Sequence, residues 1–210
     1  MKKLFVFIML LSVSSMAMAQ QYVESFDANS LEWTECAYKN GVGTAIIDGG
    51  AMTIKSKGEL KGLGVLLNTK VRESTFFESH CYAPIDVEKA FTIISKVNVK
   101  QLADDRLVGL VFNYRDDGNF YCFSFNDDFI KFIRYVDGDV VGSVTQGIKW
   151  NGKRKTDMEW VLVSDGEQLT FKVDGVSIMS IRYMPLSYNG FGYYTYGNQE
   201  LVVDEVKFIQ

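Results

Sequence analysis

Histidine is the first limit on what this chain can do chemically, because His80 is the only one. A zinc site built from several histidines is excluded, and any His-based nucleophile triad would rest on this residue alone. It stands beside Cys81 in ESHCYAP. Neighbours in sequence do not give the facing geometry that covalent catalysis needs, so a loop histidine beside a disulfide is expected. Carboxylates are more numerous. Asp116, Asp117, Asp127 and Asp128 bracket NFYCFSFN, and Asp27 and Asp204 lie near the two ends. Hard cations need several such oxygens, and either group could supply them. Aspartate is also a turn residue in its own right, and RDDGN and NDD read first as turns. Flat side chains could stack on the C–H faces of sugars while polar groups meet the hydroxyls. Trp150, in the polar stretch GIKWNGKRK, is the most exposed-looking tryptophan, and Tyr194 and Tyr196 share a face opposite Tyr193. With Asn113, Arg115, Asn126 and Arg134 they are the candidate ligand-binding residues. A tyrosine stack on a strand is more often core than platform.

Strands must position these residues. Asp-Gly occurs at Asp48, Asp117, Asp137, Asp165 and Asp174, and Asn-Gly at Asn40, Asn151 and Asn189. Such pairs suit tight hairpins. Between them lie short β-branched and aromatic runs, among them FTIISKVNVK, RLVGLVFNYR, NFYCFSFN and FIKFIRYVDG. Further runs are EWVLVSDG, QLTFKVDG, VSIMSIRY and ELVVDEVKFIQ. Helical spacing is nearly absent, with one turn expected in PIDVEKAF. An all-β chain of two packed antiparallel sheets follows. By alternation Tyr121, Phe123 and Phe125 form the core face of their strand, and Phe120, Cys122, Ser124 and Asn126 the other. In the strand before it, Leu110, Phe112 and Tyr114 make the bulky face. The smaller, polar faces are expected to lie open, as solvent face or groove.

Residues 1–19 read as a signal peptide: a basic Lys2-Lys3 head, an apolar run, then Ala17-Met18-Ala19. Cleavage after Ala19 leaves residues 20–210 as one exported domain, periplasmic or extracellular, with no membrane span. Loss of Lys2 and Lys3 takes the formal charge from −4 to −6, which disfavours nucleic acid as a partner. Of three cysteines, Cys36 and Cys81 are the preferred disulfide pair, and Cys122, mid-strand, is expected buried and free.

The order of motifs resembles the concanavalin A-like lectin/glucanase superfamily, closest to laminin-G-like and keto-disaccharide-hydrolase-like domains of secreted bacterial proteins. Phe26-Asp27 with Trp33, Gly109 before Phe112 with Tyr121 downstream, and Asp137-Gly138 carry the likeness, with Asp174-Gly175, Gly192, and Asp204 before Val206. The resemblance implies a two-sheet jelly-roll sandwich, with Trp33 and Trp160 in its core. It also implies glycan ligands on the concave sheet or its rim, and in some members a structural calcium, for which Asp27 and Asp204 are the candidates. Retaining glucanases of the superfamily carry Glu-x-Asp-x-(x)-Glu on one strand, so that alternation aims the carboxylates into one cleft. Neither VVDEVKF nor VDGDVV has that pattern. A non-catalytic lectin-like domain is therefore the leading reading. A keto-disaccharide-hydrolase-like enzyme and an envelope interaction or structural domain are the alternatives.

Overall fold

The computed structural model describes residues 20–39, 43–57, 76–100, 102–103, 106–150 and 156–210, and no helix occurs among them. The segment PIDVEKAF forms a turn rather than a helix, with the Lys89 amide donating to the Asp86 carbonyl. Among the described residues fifteen strands build two antiparallel sheets.

The larger sheet holds Gln21–Glu24 (β1), Cys36–Lys39 (β2), Gly43–Asp48 (β3), Ala51–Ser56 (β4) and Phe91–Val99 (β6). It also holds Asp157–Ser164 (β11), Gln168–Val173 (β12), Val176–Arg182 (β13) and Gln199–Ile209 (β15). Its order is β13-β12-β11-β6-β15-β4-β3-β2, and β1 pairs with the far half of β15. The smaller sheet is made of Phe76–Tyr82 (β5), Leu107–Asp116 (β7), Asn119–Phe125 (β8), Phe129–Val136 (β9), Asp139–Gly147 (β10) and Gly190–Tyr196 (β14). Its order is β10-β9-β8-β7-β14-β5.

Turn chemistry joins neighbouring strands at several of the Asp-Gly pairs, whereas Asn189-Gly190 leads into β14 without a hairpin, and Asn40 and Asn151 lie outside the described residues. At the β9–β10 hairpin Asp137 and Gly138 both take positive φ, 51° and 86°, the two-residue turn whose twist matches that of the strands. Asp174 and Gly175 repeat it between β12 and β13.

Alternation fills the space between the sheets with aromatic rings. Tyr121, Phe123 and Phe125 of β8 point inward and are buried, as expected. Phe123 packs against Phe132 and Phe171, at 5.0 and 5.7 Å between ring centroids. Trp33 stacks on Tyr193, and Trp160 meets Phe125 and Phe171 edge-on. Several polar atoms that enter this layer are paired, although the Trp33 and Trp160 indole nitrogens find no hydrogen-bond partner among the described residues. The Tyr193 and Ser95 hydroxyls bond each other, and the Tyr183 hydroxyl donates to the Val87 carbonyl. The Glu24 carboxylate accepts the Phe26 and Leu31 amides.

The alternation of β7 is not constant. Val108, Leu110 and Phe112 face the core, but a bulge lies between Phe112 and Asp116. Asn113 sits in it at φ 49°, a left-handed conformation that asparagine tolerates. The extra residue sends Tyr114 to the outer face, not to the core side where strict alternation predicts it. Asn113 is itself fully buried, its amide donating to the Tyr188 carbonyl.

Truncating Phe123 to alanine is expected to cost about 3–5 kcal/mol, the usual loss for a buried phenylalanine. Denaturant unfolding checks it, and a loss under about 1 kcal/mol would place the ring outside the core.

Candidate functional site

The outer face of the six-stranded sheet is not the small, polar surface that alternation suggests. It carries a second hydrophobic cluster: Leu107, Val111 and Tyr114 of β7, Phe120 and Cys122 of β8, Ile133 and Tyr135 of β9, and Tyr194 and Tyr196 of β14. Each is under a tenth exposed. Phe120 and Tyr135 stack at 4.7 Å. Tyr194 and Tyr196 do lie opposite Tyr193, as expected, but at 2% exposure they are part of this packing and not open platforms.

Chemistry gathers at the β5 edge of this face. Glu78, His80 and Tyr82 alternate outward along β5. Across from them on β14 stand Tyr194, Gly192 and Gly190 in register. Gly192 is required there, since a Cβ would lie 2.3 Å from the Ser79 carbonyl oxygen and 2.8 Å from the His80 Cβ. Over this row the Tyr114 ring, turned outward by the bulge, lies 4.1 Å from the His80 imidazole. Its hydroxyl donates to Asp117 Oδ1 at 3.0 Å, and the Glu78 carboxylate also acts on it electrostatically. Burial first, then the two carboxylates, push the Tyr114 phenol up, so it stays neutral. Glu78 and His80 are half-buried, with Glu78 Oε2 and His80 Nδ1 shielded from solvent, and Tyr82 is 70% exposed. This edge thus combines an open ring, an imidazole, two carboxylates and a neutral phenol.

His80 is therefore a strand residue facing Tyr114, not a loop residue beside a disulfide. Cys36 and Cys81 stand as free thiols on different sheets, and Cys81 is buried in the core with its thiol pushed up by desolvation. Cys122 is also free and buried.

Several predicted ligand residues have structural work instead. Asn126, 1% exposed, accepts the Asp128 and Phe129 amides through Oδ1 and so shapes the β8–β9 turn. Ser124 is 2% exposed. Arg134 pairs with Tyr121 across β8–β9, and its guanidinium lies 5.5 Å from the centre of that inward-facing ring. Alternation with Ile130 and Phe132 puts it on the inner side. Trp150 is half-buried: its indole N–H donates to the Asp127 carbonyl at 2.7 Å, and its ring is 6.1 Å from Phe125. It edges the core and is not a free platform.

Arg115 alone of the polar candidates is exposed, at the rim. It donates to Asp116 at 2.6 Å and to the Tyr188 hydroxyl at 2.8 Å, tying the β7–β8 turn to the segment before β14. Asp27 and Asp204 are both exposed. Among the described residues no three His, Cys, Asp or Glu side chains gather as a metal site. Two carboxylates fall short of the roughly six to eight oxygens that calcium takes. A separate open cleft, lined by Glu167, Gln168, Ser180 and Arg182, presents no exposed ring.

Glu78, His80, Tyr82, Tyr114 and Asp117 were not among the ligand residues expected from sequence. The period-two spacing of Glu78, His80 and Tyr82 in FESHCYAP was the available signal.

No protein-family model and no curated protein matches the chain. Solved structures do. A Bacillus subtilis protein of unknown function with a galectin-like fold aligns at TM-score 0.59 and 10% identity, over 91% of this chain and 97% of that one. The Bacillus licheniformis β-glucanase aligns at 0.56 and 9%, over 90% and 97%. The Pyrococcus furiosus endo-β-1,3-glucanase aligns at 0.57 and 11%, over 90% and 93%. At these identities the likeness shows the fold, which is that of the concanavalin A-like sandwiches.

At the rim, hydrogen bonds from Asn119 and Arg115, with the Gly118 amide, hold the Asp116 carboxyl at about 2, below its ordinary 3.8. A carboxyl lowered by folding stabilises above its ordinary value, and that support is lost as pH falls from about 4 toward 2. An NMR titration of Asp116 is expected to show a midpoint about 2. A midpoint at the ordinary value would mean that the turn is not locked.

Proposed function

We propose that this chain is an exported, non-catalytic carbohydrate-binding domain that holds a neutral glycan at the β5 edge of the six-stranded sheet. One observation carries the reading: Glu78 and Asp117 converge on the single Tyr114 hydroxyl, beside His80 and the exposed ring of Tyr82. A carboxylate has about four acceptor positions and a neutral phenol one hydrogen. Vicinal sugar hydroxyls are donors suited to the remaining positions, while the Tyr82 ring offers a face for sugar C–H groups. Carboxylates disfavour sulfated or uronic ligands, which fixes the expected class as neutral.

The same geometry favours binding over hydrolysis. Retaining glycosidases set two carboxyls about 5–5.5 Å apart with the scissile bond between them. Here a neutral tyrosine hydroxyl, bound to Asp117 and acted on by Glu78, lies against the carboxylates. The solved glucanases of this fold support a glycan-related role without assigning one to this chain.

A glycan array followed by calorimetry on the best neutral ligand tests the reading. Tyr82→Ala is expected to weaken binding roughly tenfold with thermal stability unchanged, because the ring is largely exposed. Absence of neutral ligands, or full affinity in Tyr82→Ala, would reject the site. Release of new reducing ends from a bound oligosaccharide would favour the hydrolase reading instead.

A further inference from the structure

Among the described residues strand β10 ends the six-stranded sheet, with β9 as its one neighbour. Along its nine residues none is buried, and Val140, Val141 and Val144 are 41%, 54% and 46% exposed. Natural sheets blunt such an edge with lysine, proline, shortness, inward charge or a bulge. Of these DVVGSVTQG has only one bulge, between Val140 and Gly142 near its start, and Ser143–Gly147 continues without interruption.

Charge is arranged at its two ends. Val140 to Ile148 is uncharged. Asp137 and Asp139 lie at one end and Lys149 at the other, all exposed. Two identical strands meeting antiparallel about a two-fold axis set each end against the opposite end of its copy. A pairing centred on Val144 sets Val144 against its own counterpart. It also brings the Asp137–Asp139 end beside Lys149 of the second copy, twice. No like charges then face each other, and the outward backbone groups of the edge beyond the bulge gain ladder partners.

We propose that β10 is a self-association edge, through which two copies join antiparallel into one continuous twelve-stranded sheet. The edge is complementary to itself, whereas a parallel copy would bring like charges together. The proposal does not depend on the glycan reading. Since β5 is the opposite edge of the same sheet among the described residues, the dimer would carry its two β5 edges at its far ends, as a bivalent binder does.

Sedimentation velocity of the purified protein over a range of concentrations tests this. A dimer is expected. Val144→Lys, which sets like charges opposite each other, is expected to weaken it by roughly tenfold or more, with the circular dichroism spectrum unchanged. Lys149→Glu is expected to weaken it as well, and the Asp139→Lys, Lys149→Glu double variant to recover it. A monomer at every concentration would overturn the proposal. So would a dimer that either single substitution leaves equally tight.

Discussion

The arrangement of the smaller sheet turns on the phase of alternation in β7, reset at Asn113. Before that residue Val108, Leu110 and Phe112 fill the core. After it Tyr114 lies on the outer face. One residue in the left-handed region does this, and its cost, of the order of 1 kcal/mol or more, is offset by local bonds. The Asn113 amide donates to the Tyr188 carbonyl, and its Oδ1 faces the Tyr183 hydroxyl at 3.4 Å. The bulge thereby also fixes the segment before β14. Without the reset, Tyr114 would crowd the aromatic layer, and the outer face would lose the ring that meets His80, Glu78 and Asp117.

From this constraint follow two layers of burial on one sheet. The inner layer joins the two sheets through Phe123, Phe125, Trp160, Phe171 and Tyr193. The outer layer of Tyr114, Phe120, Tyr135, Tyr194 and Tyr196 packs on the opposite side of the same strands. Such a sheet holds its strands rigidly, so side chains at its edge keep their spacing. The carboxylates around Tyr114 are supported in this way, on strand β5 and on the β7–β8 turn, and not on a long loop. A preorganised site of this kind suits selective binding of a small polar ligand.

Much of the fold was legible because period-two patterns and Asp-Gly turns act locally. The inward set of β8 and the hairpins at Asp137 and Asp174 follow from residue type and spacing, while the core places of Trp33 and Trp160 came from the family resemblance. The site was less legible, because it depends on breaks in those patterns and on strand neighbours distant in sequence. The bulge at Asn113 carries no mark that distinguishes it from an ordinary strand asparagine. Arg134 reads as a rim residue until its pairing with Tyr121 places it on the inner side. Trp150 reads as exposed because its partners, Phe125 and the Asp127 carbonyl, lie more than twenty residues away. Aromatic size on both faces of β8 and β14 hides the fact that each face forms its own cluster. His80 and Tyr82 acquire meaning only when β5 is seen at the sheet edge beside Gly192 and Gly190.

The central claim is that ligand meets the outer face where Tyr114 and His80 pack together. As the only histidine, His80 gives a single imidazole signal in a proton–nitrogen or proton–carbon NMR spectrum. Titration with the best neutral glycan is predicted to shift that signal saturably, with the same dissociation constant as calorimetry. A saturating glycan that leaves the His80 imidazole unmoved, while shifting the indole of Trp150 or the Arg115–Tyr188 rim, would contradict the account.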